Sequence, residues 1–190
     1  MAINLTKGQR MDMPGGHQRI AVGLGWDPSA RPGEEFDLDA SAFMLAGDKQ
    51  VPAEGFFVFY NNPVSPDKSV ASSGDDRTGG SSEGDDETLS VELTKVDARI
   101  EEIIFTVTIH DFDSRRQNFG QVRNSFIRIY DADTQVEICK YELGEDFSVE
   151  TAVEFGRLYK RGGMWRFEAM GIGYKGGLAA FTAKYANRFA

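Results

Sequence analysis

The chain has 190 residues and a single cysteine, is 41% hydrophobic and 27% charged, and carries a formal net charge of −9. That is enough chain to bury one core, and too apolar for a disordered polymer. One thiol excludes an intrachain disulfide and a thiolate metal cluster, and the negative charge argues against non-specific nucleic-acid binding, which needs Lys and Arg to neutralise phosphates.

Residues 1–17 open with a strand-like Ile3 and Leu5 and then a loop broken at Pro14-Gly15-Gly16. No apolar signal core follows Met1, and no apolar run approaches the ~20 residues that span a bilayer, so a soluble cytoplasmic protein without membrane insertion is expected. Ile20 to Trp26 reads as a strand ending at Asp27-Pro28. From Phe36 to Leu45 the sequence alternates, with Phe36, Leu38, Ala40, Ala42 and Met44 on one face and Asp37, Asp39 and Ser41 on the other. Two carboxylates ~7 Å apart therefore leave the same side of a strand.

Phe56 to Tyr60 is a uniformly apolar run, read as a strand buried on both faces, and it stops at the turn Asn61-Asn62-Pro63. Residues 61–87 then lack hydrophobic periodicity, and a connection of that length inside a domain is functional or disordered. Strand patterns resume at 88–93 and at 103–110. In the latter, Ile103, Phe105, Val107 and Ile109 oppose Ile104, Thr106, Thr108 and His110. A polar loop at 111–120 precedes strands at 125–130 and 136–143. Segments 152–161 and 164–172 flank Gly162-Gly163, a hairpin signal preferred over a helix at 149–160, and 176–187 has helical spacing. The whole predicts one all-β domain over 1–190, a β-sandwich of two antiparallel sheets with long acidic loops and a short C-terminal helix.

The chemistry concentrates at 74–87. Six carboxylates and one arginine between Asp75 and Glu87 carry −5, and Glu34, Glu35, Asp37 and Asp39 carry −4, which accounts for the whole net charge. The intervening Gly, Ser and Thr residues cannot build a core but do supply oxygens. A hard cation, Ca²⁺ first, suits such a donor set because it takes about 6–8 oxygen ligands. An EF-hand register starting at Asp76 puts Glu87 twelfth, but Thr78, Gly80 and Ser81 then stand third, fifth and sixth, and the flanks are strands. An EF-hand is rejected. The better reading closes this loop on the Asp37/Asp39 strand, with Asp27, Asn61 and Asn62 as neighbours, because a sandwich clusters its loops at its ends. The donor supply favours two adjacent Ca²⁺ ions over one.

These residues resemble the tellurite-resistance TerD family of bacterial stress proteins. The resemblance rests on Val22-Gly23-Leu24-Gly25-Trp26-Asp27, Phe36-Asp37-Leu38-Asp39-Ala40-Ser41, Phe59-Tyr60-Asn61-Asn62, Gly74-Asp75-Asp76-Arg77-Thr78-Gly79, Gly84-Asp85-Asp86-Glu87, Ile109-His110-Asp111, Gln117-Asn118-Phe119-Gly120 and the stretch from Trp165 to Gly171. It implies a Ca²⁺-binding sandwich, a cytoplasmic role in resistance to tellurite and other stresses, and partners in the same resistance system, one of them membrane-bound. The candidate metal residues are Asp27, Asp37, Asp39, Asn61, Asn62, Asp75, Asp76, Thr78, Gly80, Gly84, Asp85, Asp86 and Glu87. Two departures stand out: Asp75-Asp76 replaces the family's Asp-Asn, and Gly79 to Glu83 is one residue longer.

No catalytic residue is expected. A polar Asp/Gly/Ser loop offers no apolar pocket to raise one carboxyl of an acid–base pair. Cys139 alternates with Tyr141 and Leu143 as a core residue, His110 ends a strand, and Arg115-Arg116 reads as a solvated turn. The alternatives are a Ca²⁺-dependent membrane-surface or anion-binding module and, less favoured, a metal-dependent hydrolase, which would need an open metal position beside a cleft.

Overall fold

In the computed structural model, the described residues are 5–13, 18–30, 35–74, 76–79 and 84–189. Eleven strands are seen among them: β1 Arg10–Asp12, β2 Arg19–Gly25, β3 Leu38–Leu45, β4 Phe57–Val58, β5 Val70–Ser72, β6 Glu87–Glu92, β7 Glu102–Ile109, β8 Phe126–Asp131, β9 Glu137–Glu142, β10 Ala152–Arg161 and β11 Met164–Tyr174. Three short helices accompany them, α1 Phe112–Arg115, α2 Leu143–Asp146 and α3 Gly177–Tyr185. The strands form a six-stranded sheet in the order β1-β11-β10-β7-β3-β4 and a five-stranded sheet in the order β5-β6-β2-β8-β9. Every strand pairing is antiparallel. This is the expected sandwich with its C-terminal helix.

The core lies between the sheets because each strand alternates. Leu38, Ala40, Ala42 and Met44 of β3 share a face with Val107, Phe105 and Ile103 of β7, their direct cross-strand partners where the register pairs them. The opposite face of the six-stranded sheet is covered too. Phe43 stacks on Phe57 at 4.2 Å between centroids and meets Phe181 of α3 edge-on at 6.3 Å. Asp39 and Ser41, expected on a polar side of the strand, are therefore buried beneath or beside α3.

The hairpin expected around Gly162-Gly163 is present: β10 and β11 pair as a long hairpin whose Gly162 and Gly163 both take positive φ, +59° and +79°. Two local readings need correction. The run 56–60 supplies only a two-residue strand, and β4 is an edge strand; Phe57 is buried between the Phe43 and Phe59 rings, Val58 joins the core opposite Ala42, and Tyr60 is exposed. The stretch 61–87 also contains β5, which pairs Val70, Ala71 and Ser72 with Val91, Ser90 and Leu89. The initial Ile3 and the Pro14–Gly16 break lie outside the described residues. Leu5 docks its N–H on the Ile138 carbonyl of β9.

Candidate functional site

Among the described residues β4 pairs with Ala42 and Phe43 of β3, and the edge of β3 before Ala42 has no strand partner on that side. The acidic loop docks there. Glu87, 4% exposed at the start of β6, accepts the Ala40 N–H through Oε2 at 2.9 Å and the Asp76 N–H through Oε1 at 3.2 Å. One carboxylate thus joins the strand that bears Asp37 and Asp39 to the loop that bears Asp76. Asp76 folds the loop on itself: its Oδ1 accepts the Thr78 N–H, the Thr78 hydroxyl and the Gly79 N–H, while Oδ2 is buried with no hydrogen-bond partner among the described residues. Gly79 has φ +68°, and a Cβ there would lie 2.3 Å from the Trp26 indole nitrogen. That indole donates to the Phe36 carbonyl, so Trp26 is held between the loop and the approach to β3.

The returning limb of the loop follows the end of β2. Asp86 donates its N–H to the Leu24 carbonyl at 2.7 Å and accepts the Trp26 N–H at 2.9 Å. Two glycines make room for it. A Cβ at Gly23 would lie 2.1 Å from the Asp85 carboxylate, and one at Gly25 would meet the Phe126 ring and the Gly84 carbonyl. Asp85 therefore crosses the outer face of β2 and makes a two-pronged pair with Arg128, at 2.8 and 3.0 Å. The hydrogen bonds that Arg128 donates to the Asp85 carboxylate hold its guanidinium above its usual pKa against the lowering effect of burial.

The predicted residues thus fall into groups. Asp37, Asp39, Asp76 and Glu87 gather around the β3 edge, with Asp86 beside Trp26. Asp37 and Asp39 are both buried; the Asp37 carbonyl accepts the His110 N–H, and Asp39 Oδ2 lies 3.8 Å from His110 Nδ1. Thr78 is exposed with its hydroxyl on Asp76, and Gly84 is exposed at φ +147°. Asp27 stands on the rim of a neighbouring cleft of about 650 Å³, where Oδ2 accepts the Asn124 amide at 2.7 Å. Asn62 spends its amide nitrogen on the Gly55 and Phe57 carbonyls of its own turn, and Asn61 is exposed on that turn. Asp75 and Gly80 lie outside the described residues. Sequence reasoning did not single out Arg128 or the two strand glycines. The signal was present, because glycines at alternate positions of a strand mark a close approach by another segment.

The donors suit a hard cation: carboxylate oxygens on a strand edge, and a buried Asp76 Oδ2 that no donor among the described residues reaches. Among the described residues no three acidic, His or Cys side chains are already close enough to cage a metal. Like-charged carboxylates repel at coordination distance, so convergence needs the ion's own charge.

Comparison with known proteins decides the family. The TerD domain matches residues 1–185. The chain belongs to the TerD family. It is 47% identical over 188 residues to a tellurium resistance protein TerD of Alcaligenes sp, covering 97% of each chain, and 46% identical over 189 residues to general stress protein 16U of Bacillus subtilis (strain 168), again covering 97% of each. Among solved structures it superposes on a homologue of telluride resistance protein from Streptomyces coelicolor A3(2) with a TM-score of 0.75 and 25% identity, covering 87% of this chain and 95% of that one. TerD relatives thus share the sandwich as well as the sequence. No helix among the described residues is long and apolar enough to cross a membrane.

Proposed function

We propose that this TerD-family chain is a non-catalytic, cytoplasmic Ca²⁺-binding protein of tellurium resistance and the stress response. Its acidic loop and the β3 edge together bind one or two ions. The observation that carries this reading is the Glu87 clamp, which holds Asp76 of the loop against the strand of Asp37 and Asp39 and leaves Asp76 Oδ2 buried and unbonded. Asp37, Asp39, Asp76 and Asp86 are the side chains that would hold the metal, with Glu87 tying loop to strand and Asp85 kept by Arg128. An ion seated there would cancel the repulsion among these carboxylates and fix the loop.

Because such an ion is bound by the folded chain alone, it raises stability by mass action. Metal load would then decide whether the 74–87 surface is ordered enough to meet partner proteins of the same resistance system, including a membrane-bound one. The test is thermal unfolding of the chelator-stripped chain with and without Ca²⁺. A rise in the midpoint that chelator reverses supports the reading; a midpoint indifferent to both reagents refutes it.

A further inference from the structure

Away from the acidic loop, the outer face of the six-stranded sheet carries a row of polar side chains sealed beneath α3. Ser41 of β3 pairs with Thr106 of β7, and Thr106 pairs with Glu154 of β10, so the three stand side by side on one face. All three are 0% exposed. That face is the one α3 covers, since Phe43, two residues from Ser41, packs on Phe181 and Tyr185. A bulge between Glu154 and Gly156 sets Glu154 on this side of the sheet.

Glu154 Oε1 is well supplied. It accepts the Tyr174 hydroxyl at 3.0 Å, the Tyr185 hydroxyl at 2.6 Å and the Lys184 ammonium. The other oxygen, Oε2, is buried with no hydrogen-bond partner among the described residues, and so are Ser41 Oγ and Thr106 Oγ1. Three adjacent orphans are hard to sustain, because each buried polar group left unpaired loses its hydration without return. Lys184 already neutralises the carboxylate, so the row has no net charge to offer a cation. Its chemistry is one ionised acceptor and two hydroxyls that can donate or accept, which matches a water molecule's two donors and its lone pairs. One pair further along the strands, Asp39 and Thr108 line an open pocket of about 440 Å³ together with Gly176 and Leu178.

We infer that the Ser41–Thr106–Glu154 row is an internal water-binding site that fastens α3 to the sheet. The water donates to Glu154 Oε2 and is shared by the two hydroxyls. Through it β3, β7 and β10 become linked to Tyr185 and Lys184 of the helix, two residues along β3 from Asp39. The inference does not depend on the metal site.

The test is a double-mutant cycle on the full chain, with thermal unfolding as the readout, beside a high-resolution crystal structure grown in a rubidium salt. Ser41 and Glu154 sit two strands apart, roughly 10 Å, a separation at which substitutions normally add. If they share a water, Ser41→Ala and Glu154→Gln should each lower the midpoint by a few degrees, and the double variant should fall clearly short of the sum. The density should then show a water within hydrogen-bond reach of all three oxygens, without rubidium's anomalous signal. Additive midpoints, hydroxyls bonded to strand carbonyls instead, or a rubidium peak would each overturn the inference. The paired Ser41→Ala and Thr106→Val variants supply the same comparison should Glu154→Gln fail to fold, with lost density at the row as the expected result and unchanged density as the refuting one.

Discussion

Replacing Glu87 with alanine removes a carboxylate whose two oxygens tie the acidic loop to the β3 edge. Two backbone N–H groups lose their acceptor, that of Ala40 inside the protein and that of Asp76 in the half-buried loop. An orphaned buried donor costs about 1–3 kcal/mol, and the Asp76 amide recovers part of this from solvent, so Glu87→Ala should cost about 2–4 kcal/mol. For a chain of this size that is a fall of about 4–16 °C in the midpoint. Glu87→Gln keeps one acceptor but turns an NH₂ group toward the second N–H, and should cost about 1–3 kcal/mol. Urea unfolding followed by tryptophan fluorescence suits the measurement, because Trp26 lies against the loop. Both variants falling within about 0.5 kcal/mol of the parent, the range of ordinary surface changes, would refute the clamp.

Four further outcomes follow from the same geometry. Gly79→Ala combines a strained positive φ with a contact on the Trp26 indole, so it should lower stability and shift Trp26 emission to the red; unchanged emission would count against the loop's seat on Trp26. Asp85→Asn should weaken the partly exposed Arg128 pair by about 1–2 kcal/mol while leaving the number of bound Ca²⁺ ions unchanged, and loss of an ion would place Asp85 among the ligands. Cys139 is buried, which pushes its thiol up to about 12, so at pH 8 it should react with a thiol reagent only as fast as the chain unfolds. Asp67 is lowered: burial raises it, but hydrogen bonds from Ser65, the Asp97 N–H and Ser69 outweigh that. Its contribution is therefore present above the unfolded value of about 3.9 and is lost as pH falls below it, so Asp67→Asn should flatten the acid limb of the stability curve.

The sandwich was legible because its long strands alternate. β3 and β7 show both faces in the sequence, and Gly162-Gly163 marks the β10–β11 hairpin. What escaped depends on tertiary context. β1 and β5 are three residues each, too short to show a period, and exist because β11 and β6 offer them an edge. The pattern put Asp37, Asp39 and Ser41 of β3 and its approach on one face, but that α3 covers this face was not legible, because no local signal tells a strand that a helix from the far end of the chain will land on it. At the site, the clustering of loops at the end of a sandwich was enough to bring loop and strand together. The division of labour was hidden, since which carboxylate meets Arg128, and which amide is spent on its own turn, depends on side chains distant in sequence.

The central claim is that loop and strand bind Ca²⁺ as one site. It is met most directly by titrating Ca²⁺ into the chelator-stripped full chain in a calorimeter, beside the Asp39→Asn and Asp76→Asn variants. A saturable heat at micromolar concentration or tighter, for one or two ions, weakened by a change on either the strand or the loop, is the expected result. A flat titration, or binding that neither variant disturbs, would contradict it.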